Sequence, residues 1–167
     1  MSDVRTTIWN DMLDAEMNVR YFGHLSRRYS QMDKWLKIFV AVCSSASVAG
    51  WQFRKGTLGS LDLTKVWHGL SAVAALAAIT LPIMDFGKTI RDTSSLRSKW
   101  ISIAHEYKLL WHQFGNLAEH ELQTRYAHIL KMEEGLAEIE SGLPYKPRLV
   151  LRAQKEVVTA RALSLPA

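Results

Sequence analysis

Two long apolar stretches limit this chain more than any other feature. Residues 35–53, WLKIFVAVCSSASVAGWQF, carry one charge, Lys37, and residues 66–86, VWHGLSAVAALAAITLPIMDF, carry none before Asp85. At 1.5 Å per residue each makes a helix of roughly 28 Å, close to the thickness of a bilayer's hydrocarbon core. A helix on the surface of a soluble bundle normally keeps one charged face, and residues 66–84 offer none on any side. Trp35, Trp51 and Trp67 sit at the segment ends, where indole rings favour the headgroup layer. The expected fold class is therefore an all-α membrane protein. A two-transmembrane hairpin (35–53 and 66–86) is joined by an external loop (54–65), preceded by an amphipathic helix (4–34) and followed by a long coiled-coil-like helix (94–141) and a basic helix (148–163). In 167 residues this amounts to one domain. The amphipathic, mixed-charge sequence before the first apolar stretch argues against a secretory signal peptide.

The distribution of charge supports the same reading. The net charge is +5, which suits either nucleic acid or a membrane surface. Basic residues flank the apolar segments or fill the tail, and residues 104–141 are net acidic. No basic face is interleaved with aromatic residues, so nucleic acid is not an expected partner. Nine Lys and Arg flank the two spans on one side, against Arg54, Lys55 and Lys65 in the loop. Both termini are thus expected in the cytoplasm, with the lipid bilayer as a partner. The loop glycines Gly56 and Gly59 look like turn residues, since no GK[ST] opens a helix after them.

Outside the spans the apolar residues keep helical spacing. Ile8, Met12, Ala15, Val19, Phe22 and Tyr29 mark one face of the first helix. Leu96, Trp100, Ile103, Tyr107, Leu110, Phe114 and Leu117 keep a strict 4-3-4-3 order, a coiled-coil-like seam. The pattern slips at Glu121, resumes with Leu122, Tyr126, Ile129, Met132, Leu136 and Ile139, and ends at Ser141-Gly142-Leu143-Pro144. A helix of that length reaches roughly 70 Å, so part of the seam is expected to meet another subunit, giving a homo-oligomer. The tail bases Arg148, Arg152, Lys155 and Arg161 are expected to pair with the acidic stretch between Glu119 and Glu140, with lipid headgroups as the alternative.

No catalytic constellation stands out. The six histidines lack the i, i+3 or i, i+4 spacing of a shared metal, and Cys43 reads as a small apolar residue in a helix contact. No catalytic, cofactor-binding or metal-binding residues are expected, and no cofactor. The polar chemistry lies within the spans. At 100 degrees per residue, Lys37, Ala41, Ser44, Ser45 and Gln52 fall on one side of the first. His68, Ser71, Ala75, Ala78, Pro82 and Asp85 fall on one side of the second, with Pro82 and Asp85 as a possible polar inner mouth. Such stripes serve either tight helix packing or the lining of a water-filled path.

The order of elements, with the run Trp9, Ala15, Arg20-Tyr21-Phe22, Leu25, Arg27-Arg28-Tyr29 and Trp35 entering the first span, resembles the SLATT family. These are two-transmembrane effector domains associated with SMODS nucleotidyltransferases and SLOG nucleotide sensors in bacterial conflict systems. The resemblance runs from about Trp9 to Ala162 and transfers no catalytic residues. It implies an anti-phage effector that perturbs or permeabilises the bacterial inner membrane and stops growth. No separate nucleotide-sensing domain is visible in the chain. The trigger it implies is a defence-system sensor, a nucleotide-messenger synthase, or a signal nucleotide bound between subunits. The alternatives are a constitutive membrane scaffold that docks a cytoplasmic partner through its long helix, and a soluble helical-bundle adaptor.

Overall fold

The 3.6-residue spacing that begins at Ile8 carries one helix from Ser2 to Gln52 (α1) without interruption. In this computed structural model, residues 2–52, 69, 72, 73, 75, 76, 79 and 85–162 are described, residues 2 and 43–52 by backbone alone. The remaining elements are α2 (Phe86–Gln113), α3 (Glu119–Glu134), α4 (Ala137–Ser141) and α5 (Pro147–Ala160). The described residues are all-α, as their periodicity predicts. They fall into two units, Met1–Arg27 with Thr89–Ala167, and Arg28–Lys88.

In the first unit the apolar stripe of α1 is covered by this chain's own helices. α2 runs antiparallel to α1: the Ser26 and Ser94 hydroxyls bond at 2.9 Å, Lys108 meets Glu16 at 2.9 Å, and the Trp9 and Trp111 rings lie 4.9 Å apart. Gly23 permits this approach, because a Cβ there would meet the Arg97 side chain at 3.2 Å. α3 then returns along α2, with Arg125 donating to Gln113 at 2.5 Å and the Tyr126 ring 6.5 Å from Tyr107. Farther along, Glu140 at the end of α4 accepts the Trp100 indole N–H at 2.7 Å. Pro147 opens α5, where its fixed φ suits a first helical turn. This helix runs back beside α1, with His24 against Glu156 at 2.9 Å. Ile8, Met12, Leu25, Leu96, Ile103, Tyr107, Leu110 and Ile129 are fully buried, each aliphatic side chain contributing about 1.5–3 kcal/mol.

Two expectations change here. The single helix over 94–141 is three helices, α2 beginning eight residues earlier and stopping at Gln113. Turns over Phe114–Asn116 break it, with Phe114 N–H bonding the Trp111 carbonyl and Asn116 N–H the Gln113 carbonyl. No 70 Å rod forms, because α3 folds back to bury the same apolar face. Nor, among the described residues, does the basic tail helix pair with the acidic stretch. Arg161 joins Glu16 of α1 at 2.5 Å, and Arg152 pairs within its own helix with Glu156 at 3.0 Å.

In the second unit, Asp85 stands at φ 29°, a left-handed conformation that Asp tolerates better than most residues. Its carboxylate accepts the Lys88 N–H at 3.0 Å, capping α2. Phe86 is buried and its ring lies 6.3 Å from that of Tyr29. Beyond these, large apolar side chains stand open: Met32, Trp35 (71% exposed), Ile38, Phe39 and Val42 (59%) on α1, with Val73, Leu76 (64%) and Ile79 (65%). Among the described residues no helix is long and apolar enough to cross a membrane. The predicted loop 54–65 and most of the predicted span 66–86 lie outside the described residues.

Candidate functional site

The described part of the polar stripes does not assemble into a site. Lys37 pairs with Asp33 at 2.6 Å on the surface, and Ala41 and Ala75 are exposed. Ser44, Ser45 and Gln52 lie in α1 with side chains outside the description, and His68, Ser71, Ala78 and Pro82 lie outside it altogether. Asp85 is a helix cap. The expected seam between subunits is filled from within: Leu96, Trp100, Ile103, Tyr107 and Leu110 are buried in the single chain. Phe114 and Leu117 are half-buried in the turn after α2. One chain supplies both sides of the seam because α1 and α3 flank α2.

Among the described residues, a network of opposite charges gathers instead around Glu16. It follows the buried Ala15 on the inward face of α1, and its side chain is only 9% exposed. Arg161 grips it with two donors, Nη2 to Oε1 at 2.5 Å and Nε to Oε2 at 3.3 Å. Lys108 Nζ stands 2.9 Å from Oε1, and Arg20 Nη1 stands 3.7 Å from Oε2. Arg161 also lies over the Trp9 ring, 5.5 Å from its centre, a cation–π placement that fixes the guanidinium. Burial pushes the Glu16 carboxyl up, but the hydrogen bonds and charges of Arg161 and Lys108 outweigh it and hold the group below its ordinary value. It therefore stays ionised, one negative charge among three positive ones from three separate elements.

Two clefts open beside this cluster and share Glu16, Arg20 and Lys108. One, of about 420 Å³, continues past Val19, Ile101, Ala104 and His105. The other, of about 440 Å³, continues past Met12, Trp111, His112 and Arg161.

A second cluster, of acids and tyrosines, ties α1 to α2 and α3. Tyr126 Oη donates to Asp11 at 2.7 Å, and burial followed by that bond pushes its hydroxyl up to about 12. The Tyr107 hydroxyl is buried without a partner at ordinary hydrogen-bond distance and faces Glu133; its pKa is raised, first by burial. Burial likewise raises the Glu133 carboxyl, helped by Asp11, Asp14 and Glu140, and raises Asp14, helped by Asp11. Among the described residues no group of three or more His, Cys, Asp or Glu side chains is placed to hold a metal ion.

Neither cluster is among the residues that the sequence singles out. The available signal was position: Glu16 occupies the step between Met12 and Val19 that a helix turns inward. Arg20 stands one helical turn on, but the other two partners of Glu16 lie 92 and 145 residues away, beyond the reach of any spacing rule. No family model, curated protein or solved structure matches this chain.

Proposed function

We propose that the chain is a membrane effector of a bacterial anti-phage defence system. In this reading it oligomerises in the inner membrane, both termini cytoplasmic, and permeabilises the bilayer when a partner protein or nucleotide signal triggers it, so that growth stops. One observation carries the membrane part. Trp35, Ile38, Phe39 and Val42 on successive turns of α1, with Val73, Leu76 and Ile79, stand exposed on a single chain. An open apolar surface of that kind is costly in water and matches acyl chains. Apolar sequence on both sides of the 54–65 loop and basic residues at its outer ends support the same placement. The defence role rests on the resemblance to the SLATT family, and the subunit contact that an oligomer requires falls to the spans, since the α2 seam is occupied within the chain.

The test is controlled expression in bacterial cells with an impermeant dye in the medium. Growth arrest accompanied by dye entry is expected. If the small polar stripes face one another or a water path, Ser45→Leu and Ser71→Leu abolish both effects. Normal growth with dye excluded, under conditions where the protein accumulates in the membrane, contradicts the effector and leaves the scaffold.

A further inference from the structure

We propose that the cleft around Glu16 is an anion site that takes a phosphate group, held between Arg20 of α1, Lys108 of α2 and Arg161 beyond the end of α5. The reasoning begins with a mismatch of charge. Three cations stand within 3.7 Å of one carboxylate, so among the described residues two positive charges have no local counterpart in the cluster. Donors are also in excess. Arg161 spends two of its five N–H groups on Glu16, and Lys108 spends one of three. Arg20 reaches the Glu16 side chain at ion-pair distance only, while its Nη1 donates to the Glu16 backbone carbonyl at 3.4 Å.

The cations are placed to meet a ligand. Lys108 is 45% exposed, and Arg20 and Arg161 are 30% and 29% exposed. All three line the clefts of about 420 and 440 Å³, Arg20 and Lys108 both of them. Rigid backing is present: Arg161 lies against Trp9, and Trp9 against Trp111. A carboxylate ligand would leave one positive charge unmatched. A phosphate group carries close to two charges and three acceptor oxygens, enough to engage all three side chains at once. Its binding would join α1, α2 and α5, so occupancy is read directly as bundle stability. The site lies wholly within the first unit and stands apart from the membrane reading.

The same phosphate chemistry is carried by a soluble anion or a phosphorylated lipid headgroup, and the experiment separates them. The full chain, purified in non-ionic detergent, is titrated with inorganic pyrophosphate at constant ionic strength while its melting temperature and tryptophan fluorescence are followed. A saturable rise in melting temperature is expected. Lys108→Gln is expected to weaken pyrophosphate binding about tenfold, by loss of one charge-assisted contact. Glu16→Gln is expected to tighten it by about tenfold, because the competing carboxylate is gone. Arg125→Gln, whose partners are Gln113 and Glu121, leaves affinity unchanged. Vesicles containing a phosphoinositide that displace pyrophosphate, where plain phosphatidylcholine vesicles do not, identify a lipid source. Failure of both to displace it identifies a soluble ligand. No saturable response in the wild-type chain, or equal losses in Lys108→Gln and Arg125→Gln, overturns the site; Lys108 is half-exposed, so this arm holds even if Glu16→Gln does not fold.

Discussion

Replacing Glu16 by Gln removes the negative charge from the first unit's main ionic tie while keeping the side chain's size. Taking away one partner of a buried ion pair costs about 3–5 kcal/mol. Here the loss is smaller, for two reasons visible in the geometry. Gln keeps an acceptor oxygen for Arg161, and the three cations are 29–45% exposed, so water re-solvates much of their charge. A cost of about 2 kcal/mol follows, which for a chain of this size lowers the melting temperature by about 4–8 °C. The pH dependence carries a sign. Since the folded-state pKa of Glu16 lies below its ordinary 4.5, its contribution is full above that value and is lost as the pH falls through the folded value. Thermal melts followed by circular dichroism at neutral and acid pH are therefore expected to show a gap between wild type and variant that closes in acid. Equal melting temperatures at neutral pH would refute the idea that Glu16 ties α1 to α2 and α5.

Leu96→Ala is expected to cost about 2–5 kcal/mol, because Leu96 is fully buried within the chain. Light scattering should show assembly size unchanged, and a smaller assembly at unchanged melting temperature would return the seam to a subunit interface. Glu133→Gln is expected to raise the melting temperature at neutral pH. Its raised carboxyl makes its stabilising share complete below 4.5 and lost as the pH rises through the folded value; a variant that keeps the wild-type gain on mild acidification contradicts this. Asp85→Ala is expected to cost about 1 kcal/mol of α2 stability, while Asp85→Asn, which still accepts the Lys88 N–H and tolerates φ 29°, is close to silent. Amide exchange at Lys88 distinguishes the two.

The inward faces of the helices were legible in the sequence because their side chains repeat with the helical period. Ile8, Met12, Ala15 and Phe22, and the seam residues Leu96, Trp100, Ile103, Tyr107 and Leu110, are buried as their spacing predicts, while Val19 and Tyr29 of the same α1 stripe are half-buried. The end of α2 was hidden by the same regularity: Phe114 and Leu117 continue the 4-3 order through the turn, so the apolar pattern outlasts the helix. Gly115 and Asn116 were the local break signals. Once the break is placed, the need for a second subunit along the seam disappears, since α3 covers the face that a straight rod would have left open. The early start of α2 turns on Asp85, whose role as a cap depends on a left-handed backbone that composition does not reveal. The Glu16 cluster was illegible because it is tertiary, made by α1, α2 and the residue after α5.

The central claim is that the apolar residues left open between Arg28 and Lys88 belong in a bilayer, and alkaline carbonate extraction of membranes from expressing cells tests it most directly. High pH strips proteins held by charge and leaves those held by buried apolar helices. The account predicts that the chain remains in the membrane pellet, including the Lys108→Gln variant, whose change lies in the first unit. Release of the chain into the supernatant would contradict it.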